Sequence, residues 1–209
     1  MREVLEALAE QRSVKQAIVE SMADILGIER CAVFKIYRKE EDRRVILCKI
    51  VAGIPKNEHK IGLTEEIHRY PDIQRAIETK KVLFIQDPKD NPLTFYFVDA
   101  VIEKDINQIL YIPIFFNNRS KRTIGVVVLD AIGKRRFSDE EVEFCQEIGR
   151  VLSLILEQEE VIVENVRDKF LNKTVGLGGF AERIRKHSQK IVEIISEMEK
   201  EIIPKGDMF

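Results

Sequence analysis

Two almost continuously apolar runs, residues 109–116 and 123–129, constrain the fold of this chain more than any other feature of the sequence. Both runs are rich in β-branched and aromatic residues, and the short polar stretch 117–122 separates them. This pattern predicts a β-hairpin. Strands with one wet face alternate apolar and polar residues, and these runs do not. We therefore predict strands at the centre of a sheet that is covered on both faces.

Three further segments, residues 31–37, 45–51 and 81–86, have the same strand character, and the first two are predicted to pair as a hairpin. Apolar residues recur at helical spacing in residues 2–26. Ser13 within that segment is predicted to be the N-cap between two helices.

The middle of the chain predicts short helices. Residues 64–66 are interpreted as a helix start, and Pro71 suits the first turn of a helix over residues 72–79. Residues 95–103 are typical of a short amphipathic helix. Helices from the two ends of the sequence would cover one face of the sheet and these middle segments the other. The predicted fold class is α+β, a mostly antiparallel sheet between helical layers.

From Phe137 onward the sequence predicts a long C-terminal helix followed by a helical hairpin. Residues 138–141 are acidic, as is typical of a helix N-terminus. An apolar stripe with coiled-coil-like spacing continues beyond the length needed to cover the sheet. It comprises Val142, Cys145, Ile148, Leu152, Ile155, Ile162 and Val166. A helix that leaves its domain with an apolar seam needs a partner, so we expect a homodimer formed through the C-terminal helices.

Composition excludes several classes of function. The 209-residue chain has a net charge of −2, which offers no support for nucleic-acid binding. The sequence has no apolar run that could span a bilayer and no signal-peptide pattern, so we expect a cytoplasmic protein without membrane contact. The three histidines are too widely separated to predict a metal site. The cysteines are predicted to be reduced and buried.

Residues 14–158 resemble a GAF domain. The order of elements matches that fold, and four runs resemble GAF sequence motifs in the correct order. These runs are residues 65–73, 82–93, 124–129 and 137–141. The resemblance implies that residues 1–160 form a GAF sensory domain. It also implies a small-molecule pocket between the sheet and the segments that follow the second and third strands.

The ligand-binding residues that the resemblance implies are Tyr70, Asp87, Phe95, Tyr96, Tyr111 and Asp130. Aromatic walls with a few polar groups suit a small ligand. The alternative is that Phe95, Tyr96 and Tyr111 only pack the core. No cofactor is implied, because no cysteine occupies the bilin-attaching loop of phytochrome relatives. Cyclic nucleotides are not favoured either, because the Asn of the cyclic-nucleotide motif has no counterpart here.

The tail, residues 161–205, is predicted to be a helical dimerisation hairpin. Residues 168–184 resemble the phosphoacceptor helix of sensor histidine kinases, and residues 191–199 its second helix. Asp168 occupies the position of the phosphoacceptor histidine, and Lys169 that of the following acid. Since autophosphorylation needs an imidazole nucleophile and a neighbouring base, we predict no catalytic residues. His187 lies outside the matched position, in a predicted turn.

These resemblances predict a sensory or regulatory module of bacterial signal transduction that binds a small ligand or a partner. It would signal through a dimeric tail without kinase chemistry. One alternative is a non-sensing scaffold that docks a histidine kinase or a response regulator. Another is a GAF-type methionine sulfoxide reductase, which would need paired, accessible thiols. We predict that the chain is not an enzyme.

Overall fold

The computed structural model describes residues 2–38, 42, 44–55, 61–116 and 122–172, with side chains described for residue 12 and from residue 14 to 163 within those ranges. The helices are α1 (Arg2–Leu26), α2 (Pro71–Thr79), α3 (Val98–Glu103) and α4 (Asp139–Asn172). The strands are β1 (Arg30–Arg38), β2 (Ile46–Ile54), β3 (Thr64–Glu66), β4 (Leu83–Gln86), β5 (Ile106–Phe116) and β6 (Arg122–Ile132). Three short 3₁₀ turns, Ile67–Arg69, Pro88–Asp90 and Pro92–Phe97, complete this part of the chain.

The chain divides into two units. One is Arg12–Leu156, and the other combines Met1–Gln11 with Glu157–Phe209. The described residues of the second unit, 2–11 and 157–172, are helical. The predicted hairpin beyond residue 172, including His187, lies outside the described residues and stays a prediction. No helix in the described part of the chain combines the length and apolarity needed to cross a bilayer.

The first unit is built on a six-stranded sheet of order β3-β2-β1-β6-β5-β4, in which each neighbouring pair is antiparallel. The predicted central hairpin is confirmed: β5 pairs with β6, and both are inner strands. Their residues are buried along most of their length. The continuous apolarity of the two runs thus reflects cover on both faces.

Different helices cover the two faces of the sheet. On one face, α2, α3 and the 3₁₀ turns close over a core that includes Phe34, Ile109 and Tyr111. On the other face, Gly149 of α4 lies against Ile112 of β5. Because side chains alternate across a strand, odd-numbered residues near position 111 of β5 face α2 and even-numbered ones face α4. The predicted α+β sandwich, with middle segments on one face, is confirmed in this unit.

The first helix differs from the prediction. Residues 2–26 form one continuous helix, so the prediction of an N-cap at Ser13 is wrong. A serine is only mildly unfavourable inside a helix and does not interrupt it alone. The helix ends at Leu26 and is followed by Gly27, whose φ is 61°. The Gly27 amide donates to Asp24 O and the Ile28 amide to Ala23 O, the pattern of a Schellman cap.

Residues 64–66 also differ from the prediction. They form the edge strand β3, which pairs with Leu47–Lys49 of β2, so the predicted helix start is wrong. The free edge of β2 offers unpaired backbone groups, and pairing with it outweighs the weak local helix signal. The predicted helix over residues 95–103 is in fact a 3₁₀ turn followed by α3.

The start of α4 agrees with the sequence. The Ser138 amide donates to Glu141 Oε2 at 2.9 Å, and the Glu141 amide donates to Ser138 Oγ at 3.3 Å. This reciprocal pair is a capping box. Arg135 then joins the start of α4 to the end of α1, since its Nη2 donates to Glu141 Oε1 at 2.6 Å and to Leu26 O at 2.7 Å.

Candidate ligand-binding site

The centre of the candidate site is Asp72, the second residue of α2. Pro71 occupies the first helical position, where its fixed φ is favourable and its missing N–H costs nothing. A carboxylate in the first turn of a helix meets free backbone N–H groups. Asp72 nevertheless lies beneath the surface, with only 2% of its area exposed. A charged residue buried to this extent needs strong hydrogen-bond donors.

Two tyrosines supply those donors. The Tyr111 hydroxyl, from β5, donates to Asp72 Oδ2 at 2.6 Å. The Tyr96 hydroxyl, from the 3₁₀ turn Pro92–Phe97, lies 2.9 Å and 3.0 Å from the two carboxylate oxygens. Tyr111 is fully buried, whereas 45% of Tyr96 is exposed. One donor is therefore fixed in the sheet, and the other stands between the carboxylate and solvent.

An aromatic row extends from this centre. The ring centroids of Tyr96 and Tyr70 are 5.5 Å apart with an interplanar angle of 87°, and those of Tyr96 and Phe97 are 4.6 Å apart. Tyr70 in turn lies 6.0 Å from Phe34 of β1. Edge-to-face contacts of this kind stabilise aromatic pairs. The row provides an apolar wall of mutually tilted rings beside the buried carboxyl group of Asp72.

Glu65 of β3 lies at the other end of the row. Its carboxylate accepts a hydrogen bond from the Tyr70 hydroxyl and one from Arg69 at 2.9 Å. The Cys48 thiol donates to the Glu65 carbonyl at 3.6 Å. Burial, followed by the hydrogen bond to Glu65, raises the pKa of Tyr70. Tyr70 therefore stays a neutral hydrogen-bond donor at physiological pH.

The pKa of Asp72 is set by burial and by hydrogen bonds from neutral donors. Burial raises its pKa, and the hydrogen bonds from Tyr111, the α2 backbone and Tyr96 lower it. Burial and the negative charge of Asp72 raise the pKa of both tyrosines. No lysine or arginine among the described residues forms an ion pair with Asp72. Among the described residues, the carboxylate is contacted by neutral hydrogen-bond donors.

A second carboxylate, Asp130, lies on the same face of the sheet. Asp130 of β6 pairs in register with Arg30 of β1, and Arg30 Nε lies 2.9 Å from its Oδ2. The residues two positions away on either side, Val128 and Ile132, pack against the core under α2. Burial raises the pKa of Asp130 and Arg30 holds it down, while Asp72 adds a smaller upward shift. The two carboxylates are thus electrostatically coupled, and of the two only Asp130 has a cationic partner among the described residues.

The structure brings together three of the six predicted site residues, Tyr70, Tyr96 and Tyr111. Asp130 lies on the same face, beside them and bound to Arg30. The other two are exposed at the surface. Asp87 is exposed and starts a 3₁₀ turn with a φ of 49°, and Phe95 is 59% exposed. The assignment of these residues to ligand binding stays a prediction.

Sequence reasoning missed Asp72 and Arg30. The local signal for Asp72 was an acidic residue directly after Pro71, but an acidic residue in a first helical turn is usually solvent-exposed. Nothing local marks it as buried, because its burial depends on Tyr96 and Tyr111, which are 24 and 39 residues away. Arg30 was missed because its partner is 100 residues away on a neighbouring strand.

A cavity of about 590 Å³ lies on the opposite face of the sheet, beside α4. Its lining includes Lys80, Lys81, Pro113 and Ser153. None of the six predicted residues contributes to it. It provides positions for control variants that lie away from Asp72.

Possible metal ligands and thiols among the described residues bear on chemistry other than binding. Within that part of the chain, no group of three or more His, Cys, Asp or Glu side chains is arranged to hold a metal ion. The three cysteines are free and buried. Burial raises the pKa of the Cys48 thiol to about 11 and that of Cys145 to about 12, and it also raises the pKa of Cys31.

Residues 12–156 match the GAF domain family, and the chain belongs to this family. The match coincides with the first structural unit and contains the whole site around Asp72. The chain matches no curated protein sequence.

Solved GAF domains share the fold. The GAF domain of a phosphoenolpyruvate-protein phosphotransferase from Coxiella burnetii superposes with a TM-score of 0.59 at 17% identity, covering 77% of this chain and 94% of its own. The GAF domain of a two-component sensor histidine kinase from Bacillus halodurans gives 0.52 at 20% identity, covering 69% and 95%. The phycoerythrobilin-bound GAF domain of a cyanobacterial phytochrome gives 0.54 at 16% identity, covering 77% and 91%. At these identities the likeness establishes the fold alone.

Proposed function

We propose that this chain is a sensory or regulatory module of bacterial signal transduction that binds a small ligand at the Asp72 centre. GAF domains serve such roles in signalling proteins, and one similar structure holds a chromophore. The observation that carries the proposal is a buried carboxylate that accepts hydrogen bonds from two phenols and has no cationic partner in the part of the chain that the structure describes. A few convergent polar groups within an aromatic wall are typical of a small-molecule site.

The response would pass through the sheet to α4. Tyr111 contacts Asp72 on one face of β5, and the next residue, Ile112, contacts Gly149 of α4 on the other. A shift of β5 relative to its neighbours would therefore reach α4 directly. Such a shift follows only if the ligand binds one of two arrangements more tightly than the other.

The output would be a homodimeric stalk formed by the C-terminal helices. The apolar stripe along α4 and the likeness of residues 168–184 to a histidine-kinase dimerisation helix support this step. Asp168 at the phosphoacceptor position argues against kinase chemistry in this chain. A histidine kinase or a response regulator is then the natural partner.

Native mass spectrometry of freshly purified protein tests ligand and dimer together. We expect the mass of a dimer with a co-purified small molecule. The variant Asp72→Asn should lose that molecule, whereas Ser153→Ala, at the cavity on the opposite face, should keep it. A ligand that stays bound in Asp72→Asn would contradict the assignment of the site, and a monomer at all concentrations would contradict the dimeric stalk.

The second candidate function is a scaffold that docks a kinase or a response regulator without sensing a ligand. The observation in its favour is that Tyr96 and Tyr111 already occupy the Asp72 carboxylate. Under this alternative the wild-type protein carries no small molecule, and no compound in a thermal-shift library raises its melting temperature.

A further inference from the structure

Asp72 combines two properties that point to the charge of its ligand. It is 98% buried, and in the described part of the chain its partners are neutral donors only. Phenol hydrogen bonds stabilise a carboxylate but leave its net charge in place, and a buried unpaired charge is costly. A bound cation would offset part of that cost.

The surrounding charges favour a cation as well. Two arginines on this side of the domain already have carboxylate partners: Arg30 pairs with Asp130, and Arg69 pairs with Glu65, each at 2.9 Å. Asp130 also adds negative potential at the Tyr111 hydroxyl. The Asp72 carboxylate would therefore repel an anionic ligand, and neither of these two arginines would be free to offset the repulsion.

The aromatic row suits the same kind of ligand. Tyr70 meets Tyr96 edge to face at 5.5 Å, and Tyr96 contacts the Asp72 carboxylate. Aromatic faces attract cations, and the attraction increases where water is excluded. An anion beside aromatic faces is the usual composition of a site for an ammonium or guanidinium group.

Tyr96 is the donor that can leave. Tyr111 is fully buried in β5, between Leu83 of β4 and Val128 of β6. Tyr96 belongs to a 3₁₀ turn, almost half of its surface is exposed, and its hydroxyl covers both oxygens of Asp72. Rotation of this one side chain towards solvent would uncover the carboxylate without disturbing the sheet.

We propose that the site binds a small organic cation, whose ammonium or guanidinium group takes the place of the Tyr96 hydroxyl on Asp72. This inference rests on the function proposed above and adds the chemical class of the ligand and the moving residue. The rest of the ligand would lie along the row formed by Tyr70 and Phe34. Tyr111 would keep its hydrogen bond and orient the carboxylate.

Three compounds that share a butyl chain and a planar head group test the charge: butylguanidine (cationic), butylurea (neutral) and pentanoate (anionic). Isothermal titration calorimetry and thermal shift would measure binding to the full-length protein. Tyrosine fluorescence gives a third readout, because the chain has four tyrosines and no tryptophan, and three of the four lie at this site. We expect saturable binding of butylguanidine and none of pentanoate at the same concentrations.

Tyr96→Phe separates this mechanism from a purely structural role of the network. It removes the competing hydroxyl and leaves one acceptor free, so butylguanidine should bind about five-fold more tightly. Asp72→Asn should abolish the preference for the cation. Ser153→Ala, at the cavity beside α4, should bind butylguanidine as the wild type does. If Asp72→Asn does not fold, the affinity of Tyr96→Phe for butylguanidine alone tests the inference: tighter binding than in the wild type supports it, and unchanged or weaker binding contradicts it.

Equal binding of the three compounds, preference for pentanoate, or no binding of butylguanidine to either wild type or Tyr96→Phe would overturn the inference. Other results distinguish a failure of the cation inference from a failure of the proposed sensory function. A neutral or anionic molecule found in the native mass spectrum, and lost in Asp72→Asn, would reject the cation and keep the sensory role. Absence of any co-purified or screened ligand would reject both.

Discussion

Gly125 allows α4 to pack closely against the sheet, and its replacement by alanine should measure that packing. Gly125 lies in β6, opposite Lys35 of β1 and Ile114 of β5. An added Cβ would lie 2.7 Å from the Phe34 carbonyl oxygen, 3.0 Å from Leu156 Cδ1 and 3.1 Å from Ile114 Cδ1. The two methyl groups can rotate away. The carbonyl oxygen belongs to the sheet backbone, so β1 and β6 would have to separate by several tenths of an ångström.

The expected cost of Gly125→Ala follows from this geometry. Overpacking of a well-packed core typically costs about 1–3 kcal/mol. Alanine regains about 0.5–1 kcal/mol of backbone entropy relative to glycine, which offsets part of the strain. We therefore expect the free energy of unfolding to fall by about 1–2 kcal/mol, as measured by urea denaturation followed by far-UV circular dichroism.

Gly149→Ala is the matched control. Gly149 is buried in α4, where a Cβ would meet its nearest neighbour, Ile112 Cγ2, at an ordinary contact distance of 3.6 Å. Because glycine inside a helix is unfavourable, this variant should gain about 0.5–1 kcal/mol. Equal stability of Gly125→Ala and wild type, or equal losses in both variants, would refute the argument from close approach at β6.

Three further outcomes follow from the described contacts. Arg135→Met should lower the free energy of unfolding by about 1.5–3 kcal/mol, because it removes a charged donor to Leu26 O. In the same denaturation assay, Arg135→Lys should recover only part of this loss. Burial lowers the pKa of Lys15 from 10.5 to about 7, so the native state binds fewer protons than the unfolded chain. The contribution of Lys15 to stability should therefore rise with pH from about pH 7. The test is restricted to pH values below about 9, because the raised pKa of the buried thiols makes stability fall with pH above that value. In urea titrations within that window the wild type should gain stability with pH, and Lys15→Met should gain less. The thiols of Cys31, Cys48 and Cys145 are buried, so native protein should not react with Ellman's reagent until it is unfolded. Rapid labelling of the native protein would revive the sulfoxide-reductase alternative.

The sequence by itself determined the central hairpin of the first unit and the start of α4. The two apolar runs at residues 109–129 could be stable only as covered central strands, and they form β5 and β6. The acidic residues after Phe137 start α4, as their preference for free N–H groups requires. Such features depend on neighbours within a few positions, so the sequence displays them directly.

Tertiary structure decided the edge strand and the chemistry of the site. Residues 64–66 have a weak helix signal, but they pair with the free edge of β2, a partner that local sequence does not reveal. Asp72 looks like an ordinary first-turn acid until the fold brings Tyr96 and Tyr111 to its oxygens. The assembled layers decide how deeply Asp72 is buried, which groups donate hydrogen bonds to it, and that no cation among the described residues lies beside it. Each of these properties depends on residues that are distant in the chain and adjacent only in space.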